Sequence, residues 1–308
     1  MSSNLAELLL KHDYELVKFL DKGTYGSCYT VKSLKYNSYF VCKSSNCDNL
    51  SEKYFNSFMG EAEILSKLNH PNIVRIYDYF IEEGHFFIIL EYCSKGSLLD
   101  ILNVQKHIEF NKVIKYASEI IDAIMFMHSK GIAHCDIKLS NILIDQYDRV
   151  KICDFGLSHK FNDKVDQNPI SRIRGTLNYM APEIILALDY DPFKADVWAV
   201  GITIYAMLTG SFPFGTHDVR SILKDMKAGC VKLADEFGKI GEFVDRCLDI
   251  DPDSRPTMAQ LKFRMIQSYG DLLGTKIKST QKIFAAVARQ HIIVRPSKVL
   301  RSSISAVY

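Results

Sequence analysis

The feature that most constrains this chain is a change in the period of its apolar residues at Ser94-Lys95-Gly96. Before that point short apolar runs alternate with turn signals, and residues 14–45, YELVKFLDKGTYGSCYTVKSLKYNSYFVCKSS, read as three antiparallel strands. Phe55, Phe58, Met59, Ala62, Leu65 and Leu68 recur at helical spacing over 52–68; HPN at 70–72 ends that helix, and two more strands follow around 73–80 and 85–91. Beyond Gly96 apolar residues return every three or four positions over 97–103 and 110–130, with Gly131 as the stop. A strand-rich part followed by a helix-rich part implies an α+β architecture of two lobes joined by a hinge.

Composition supports a folded chain: 47% hydrophobic and 24% charged residues exclude global disorder and a fibre, and 308 residues suffice for two cores. The stretch VWAVGITIYAML at 197–208 is too short to cross a bilayer and reads as a buried core helix. The start MSSNLAELLLKHDYE carries acidic residues where a signal peptide needs a positive segment, and its apolar run is short. Eight cysteines include no C-x-x-C pair, which argues against a disulfide framework and against zinc. The expectation is an intracellular protein in a reducing compartment, cytoplasmic with nuclear access left open.

Charge is distributed unevenly. Residues 275–308 hold seven Lys or Arg and no Asp or Glu, so a net +2 for the whole chain becomes −5 for the rest. Such a run is either a solvated end or a contact for an acidic partner; nucleic acid is not the expected one. Within it, Ile283, Phe284 and Val287 share one side of a short helical pattern at 281–292, while Pro296 and the following serines favour a loose end. Calmodulin, an acidic membrane and the chain's own folded part are the candidate partners of this segment, and together with 269–274 it is read as a tail.

Four groups of residues point to phosphate chemistry. The turn GTYG at 23–26 contains Gly23 and Gly26, whose lack of a Cβ lets backbone N–H groups approach phosphate oxygens, although glycine turns are common. Lys43 follows in FVCK, and Glu61 lies on the next helix where it can face that lysine. HCDIKLSN at 134–141 then spaces Asp136, Lys138 and Asn141 along one loop, and Asp154 follows in ICDFG. Two carboxyl groups, an amide and a cation converging on one cleft suit a metal-bound phosphate.

In this order, over about 14–265, the motifs DKGTYGSC, FVCK, EAEIL, HCDIKLSN, DFG and APE, with DVWAVG at 196–201 and Arg255 in DPDSRPT, make the chain resemble the eukaryotic protein kinase family. The resemblance implies a bilobal kinase domain over 14–268, with a small antiparallel sheet lobe with one main helix at 14–93 and a larger, mainly helical lobe at 94–268. It implies ATP and Mg2+ as cofactors and proteins with Ser/Thr acceptors as substrates. Asp136 would orient and deprotonate the incoming hydroxyl, and Lys138 would neutralise the transferring phosphoryl group. Lys43, paired with Glu61, would hold the α- and β-phosphates, and Asn141 and Asp154 the metal. Val41 and Leu143 would sandwich the adenine, Leu20 and Cys28 close its edge, Leu90 stand as gatekeeper, and the backbones of Glu91 and Cys93 contact the base. Lys138 and Thr176 in GTLNYMAPE resemble the serine/threonine branch, and KADVWAVGITIYAMLTGSFPF resembles calcium/calmodulin-dependent and AMP-activated-like kinases. Glu183 and Arg255 match a buried ion pair of the family.

Several positions depart from the pattern. Asp21 replaces the first glycine of the phosphate loop, where it either weakens ATP binding or points to solvent. Cys135 replaces the arginine that in many relatives clamps a phosphothreonine, and Arg172 stands where that threonine is usual. Either activation needs no such phosphate, or Ser158 or Ser171 supplies one to Arg172 or Arg174. Ser97 and Ser140 occupy places where basophilic relatives carry acidic readers of substrate arginines. Cys28, Cys42, Cys93, Cys135 and Cys153 crowd the motifs, as small apolar fillers or as an oxidant sensor. A pseudokinase that binds nucleotide without turnover is the alternative function, although neither Asp21 nor Cys135 removes a catalytic group. The long segment between Asp154 and Glu183 resembles a protein-substrate platform and argues against a small-molecule acceptor.

Overall fold

The computed structural model describes residues 2–22, 26–46, 52–160, 176–186, 188–214, 218–229 and 233–274, with the side chains of 2–4 and 52–57 set aside. Gly23, Ser171, Arg172, Arg174 and the basic stretch 275–308 lie outside the described residues. In chain order the elements are α1 (Ser2–Leu10), β1 (Tyr14–Lys22), β2 (Ser27–Ser33), β3 (Ser38–Asn46), α2 (Glu52–Lys67), β4 (Ile76–Glu82), β5 (His85–Glu91), α3 (Leu98–Gln105), α4 (Phe110–Ser129) and β6 (Ile132–Ala133). They continue with β7 (Ile142–Ile144), β8 (Val150–Ile152), β9 (His159–Lys160), α5 (Pro182–Ile185), α6 (Pro192–Thr209), α7 (Val219–Ala228), α8 (Ala234–Phe237), α9 (Lys239–Cys247) and α10 (Met258–Tyr269). These form two compact units, one of residues 1–96 with 143–156, the other of 97–142 with 157–308.

The first unit is built on a five-stranded antiparallel sheet in the order β1-β2-β3-β5-β4. Because successive side chains on a strand face opposite ways, β3 divides its residues between two surfaces. Phe40 and Cys42 join Val31, Phe87 and Ile89 in an apolar cluster on one of them. Val41 pairs with Thr30 and Leu90, and Lys43 with Cys28 and Ile88, so these residues share the other.

Helix α1 covers the apolar surface. Leu8 and Leu9 are 1% and 0% exposed within the same cluster as Phe40 and Cys42. The corner that follows is pinned to the β4–β5 hairpin: Lys11 Nζ pairs with Glu82 and Glu83, and the His12 ring stacks on Phe80 with centroids 3.7 Å apart. Periodicity assigns no element to residues 1–13, since one nine-residue helix is too short for a period to show and draws its stability from the sheet it covers.

The strand expected at 73–80 begins later, at Ile76. Its first residues are held by β8 instead, through the parallel bridge of Ile73 to Ile152, the bond from Val74 N–H to Ile152 O at 2.9 Å, and the Asn72 amide to Val150 O at 3.0 Å.

In the second unit α6 is the central element, packed against α4 and α9, with α10 against α4. Its residues from Ala195 to Ile204 are buried, as expected of the apolar run at 197–208. Asp191 caps its start by accepting the Phe193 N–H, and Gly210 ends it in the left-handed region, φ 74°. A Cβ on Gly201 would come within 2.6 Å of the Cys247 Cβ, so α6 and α9 meet closely only because this residue is glycine. Arg255 and Glu183, both 0% exposed as side chains, form a two-pronged ion pair at 2.6 and 2.8 Å. The same guanidinium donates to Asp249 O and Lys194 O and lies 4.9 Å from the Trp198 ring centroid, so further donors and its face are used as well.

If α1 belongs to the folded sheet, Leu9→Ala will lower unfolding free energy by about 2–5 kcal/mol, whereas Leu10→Ala, at a side chain 49% exposed, will change it by about 0.5 or less. Denaturant titration followed by circular dichroism measures both, and equal midpoints would show that α1 adds nothing to the fold.

Candidate active site

The site residues expected from sequence fall into one group in each unit. In the first, Lys43 on β3 donates both to Glu61 Oε1 at 2.9 Å and to Oε2 at 2.7 Å, and to Asp154 Oδ1 at 3.2 Å. Glu61 lies in the last part of α2 and is 2% exposed. Burial penalises both charges, lowering the Lys43 pKa and raising that of Glu61; at the lysine the Glu61 and Asp154 carboxylates prevail, and it ends above its ordinary value. We therefore take the pair as ionic. Asp154 adopts φ 63°, a sparsely populated region for a non-glycine residue, and a Cβ on Gly156 would lie 3.5 Å from its Oδ1.

Around this cluster Leu90 and Cys93 are buried, Cys28, Val41, Glu91 and Leu143 half-buried, and Leu20 42% exposed. The Glu91 carboxylate is held by Lys151 at 2.7 Å and accepts the Arg75 N–H at 3.2 Å, while its own N–H donates to Arg75 O at 2.8 Å. Glu91 is thus fixed by its side chain and its N–H. Gly26 approaches the Ser44 carbonyl so closely that a Cβ there would overlap it. Asp21 is exposed and its Oδ1 accepts the Lys22 N–H at 2.7 Å, the solvent-facing alternative of the two considered.

In the second unit Asp136, Lys138 and Asn141 come together on one loop. Asp136 Oδ2 accepts Lys138 Nζ at 2.7 Å and Asn141 Nδ2 at 2.9 Å, and the Asn141 amide also donates to Asp136 O at 2.9 Å. Among the described residues no hydrogen bond reaches Asp136 Oδ1. Lys138 Nζ also lies 3.3 Å from Thr176 Oγ1, which ties the loop to the residue that, with Lys138, suggested the serine/threonine branch.

The shape of this loop rests on residues to which the sequence reading gave no role. Asp196, at the start of DVWAVG and 1% exposed, accepts the His134 N–H on Oδ2 and the Cys135 N–H on Oδ1, both at 2.9 Å, and His128 Nε2 lies 2.9 Å from Oδ2. These bonds hold Cys135 at φ 64°. The Tyr179 hydroxyl accepts the Leu139 N–H at 3.3 Å. The one available signal was Asp196 itself: an acidic residue inside an otherwise apolar helix needs buried donors.

Two serines singled out in the sequence take on a structural meaning. Ser97 caps α3 in a reciprocal box, its hydroxyl accepting the Asp100 N–H while Asp100 Oδ2 accepts the Ser97 N–H at 2.9 Å. Ser158 donates its hydroxyl to His134 O at 3.2 Å, so it is a structural donor here. Among the described residues no group of three or more His, Cys, Asp or Glu forms a ready metal cage. Each unit offers a hard oxygen of the kind Mg2+ takes: in the first the half-exposed Asp154 carboxylate, in the second the Asn141 Oδ1, left over because its amide nitrogen serves Asp136.

The model of the protein kinase domain family matches residues 14–264. Among curated proteins, the Arabidopsis thaliana serine/threonine-protein kinase RUNKEL is 33% identical over 215 residues, 70% of this chain and 15% of its own length. Human NUAK family SNF1-like kinase 1 is 32% identical over 254 residues, 82% of this chain and 38% of its own length. The cell cycle serine/threonine-protein kinase CDC5/MSD2 of Saccharomyces cerevisiae is 31% identical over 256 residues, 81% and 36%. The chain therefore spans well under half the length of these relatives. With the match over 14–264 and serine/threonine kinases as its named relatives, the chain belongs to the protein kinase family.

Proposed function

We propose that this chain transfers the γ-phosphate of Mg-ATP to serine or threonine hydroxyls of protein substrates. The observation that carries the reading is the polarisation of Asp136: one carboxylate oxygen is occupied by Lys138 and Asn141, leaving the other to accept the hydrogen of an incoming hydroxyl. A carboxylate so held orients its acceptor before reaction, and Lys138 brings a cation beside it for charge that develops on the phosphoryl oxygens. The Lys43 ammonium, kept charged by Glu61, binds the α- and β-phosphates. Leu20, Cys28, Val41, Leu90 and Leu143 enclose the base, which the Glu91 and Cys93 backbones recognise. Asp154 and Asn141 hold the Mg2+ that neutralises phosphate charge.

Activation without an arginine–phosphothreonine clamp is part of the proposal. Cys135 cannot hold a phosphate, its backbone is already fixed by Asp196, and the Ser158 hydroxyl is engaged. Proteins with Ser/Thr acceptors are the proposed partners, with affinity for the calcium/calmodulin-dependent and AMP-activated-like branch and the cytoplasm as location. For the tail, contact with calmodulin, an acidic membrane or the kinase itself rests on its charge pattern alone.

The cysteines support packing over redox sensing. Burial pushes the thiol of Cys28 up to about 11 and those of Cys93 and Cys247 to about 12, and raises Cys42, Cys135 and Cys153 as well. Only the thiolate reacts.

Three outcomes follow for the purified protein. With Mg-ATP and a degenerate Ser/Thr peptide library, Asp136→Asn and Lys43→Met each lower the initial rate by about 10^2–10^4-fold; equal signal from Asp136→Asn and the parent would defeat the mechanism and favour a pseudokinase. Phosphatase treatment, checked by intact mass, leaves the rate within about twofold, whereas loss of activity would restore the phosphate switch. With its pKa raised to about 11 by burial, Cys28 stays a thiol at pH 8, so iodoacetamide labels it much more slowly than an unfolded control in peptide mapping, and equal rates would reinstate the sensor.

A further inference from the structure

One end of the sheet, where β1 begins, the β2–β3 turn closes, β4 starts and β5 ends, carries a basin of about 700 Å3. That volume lies within the range of ligand-binding clefts. Its lining is dominated by Tyr36, Tyr39, Tyr77 and Tyr92, exposed by 63, 52, 52 and 39%. Exposed tyrosines gathered at one place are costly to solubility and are the side chains that supply most contact energy per residue at interfaces.

The rings form a fixed platform. Tyr39 and Tyr92 lie 6.3 Å apart with planes tilted by 50°, and Tyr77 packs edge-on against the buried Phe40 at 4.8 Å. The turn that carries Tyr36 is locked from both sides, its N–H donating to Ser33 Oγ at 3.3 Å and its carbonyl accepting the Ser38 hydroxyl at 3.1 Å. The α1–β1 corner holds the turn in place, because Leu34 N–H donates to Asp13 O at 2.8 Å while Asp13 itself sits at φ 64°.

The charges at the basin select the occupant. Asp13 and Asp78 are exposed at its rim, where Lys35 is the lysine among its lining residues, and neither acid has an ion-pair partner among the described residues. Glu91, the third acid, is already paired with Lys151. The tyrosine faces accept cations in this chain itself: the Arg75 guanidinium lies 5.5 Å from the Tyr77 centroid and Lys35 Nζ 5.2 Å from that of Tyr36. Two unpaired carboxylates beside exposed phenol rings suit a planar cation that can lie on a ring face and form a forked pair at once, for which arginine is better shaped than lysine.

We propose that this basin is a docking surface for an extended, arginine-bearing peptide segment of a partner protein, separate from the residues assigned to phosphate transfer. Its guanidinium groups stack on Tyr36, Tyr39 and Tyr92 and pair with Asp13 and Asp78. Through it a partner is held by its arginines whatever the sequence around its phosphorylated hydroxyl. The assignment stands whether or not the chain turns over ATP.

Fluorescence anisotropy of the full chain tests it, with a labelled dodecapeptide carrying two arginines among glycine, proline and serine, and its lysine counterpart. The arginine peptide binds, the lysine peptide binds several-fold more weakly, and Asp13→Asn/Asp78→Asn and Tyr36→Ser/Tyr39→Ser each weaken the arginine peptide by about tenfold or more. Asp136→Asn binds it as the parent does. Thermal melts confirm that the variants are folded, and Tyr39→Phe, which keeps the ring, retains binding if a double variant melts early. Equal affinity for both peptides, no loss in the basin variants, or loss in Asp136→Asn would each overturn the proposal, the last by placing the peptide at the acceptor site.

Discussion

Hydrogen bonds from His128, His134 and Cys135 converge on the Asp196 carboxylate, and the loop at 134–141 depends on that convergence. A buried carboxylate with unfilled acceptor sites is expensive, so α6 requires these donors as much as they require it. The result is a loop whose backbone is held at a left-handed residue, a conformation that costs about 1–3 kcal/mol for a side chain such as cysteine and persists only when several bonds over-determine it. With the backbone fixed this way, Asp136, Lys138 and Asn141 need only short-range contacts with one another to reach their places. The side chain at 135 contributes nothing to the anchor, which is why arginine can be replaced there without remodelling the loop.

The same logic governs the ionised groups. Three other buried charges each have a counter-charge: Lys43 with Glu61 and Asp154, Arg255 with Glu183 beside a bond to the Asp249 carbonyl, and Lys151 with Glu91. None can be removed singly without leaving its partner charged in a poor solvent. Such pairs fix orientation more than they add stability. In the first unit they orient groups assigned to nucleotide phosphate, whereas in the second Glu183 and Arg255 tie the α5 segment to the region around Trp198.

Sequence reading recovered what depends on local pattern. The strands of 14–45, the helix at 52–68 and the apolar helix around 197–208 follow from period and breakers, and the pairing of Lys43 with Glu61 from motif order. What it missed depends on long-range partners. The shift of β4 came from β8 capturing Ile73 and Val74 across nearly eighty positions. The roles of Asp196 and Tyr179 lie in bonds to backbone N–H groups, which carry no residue identity and so leave no mark at the receiving end. Ser97 illustrates the reverse case: read against the family it looked like a lost specificity residue, while its spacing from Asp100 is that of a capping box.

Helix α1 changes what counts as a complete domain. The family match begins at Tyr14, the first residue of β1, yet the apolar face formed by Phe40, Cys42, Phe87 and Ile89 is shielded by Leu8 and Leu9. A boundary drawn by homology would therefore run through a single hydrophobic core. A fragment trimmed to the matched residues would present a greasy sheet surface to solvent and to other copies of itself, so that poor recovery of such a fragment would report on the cut and not on the kinase. For this chain the unit of inheritance and the unit of folding do not share an end.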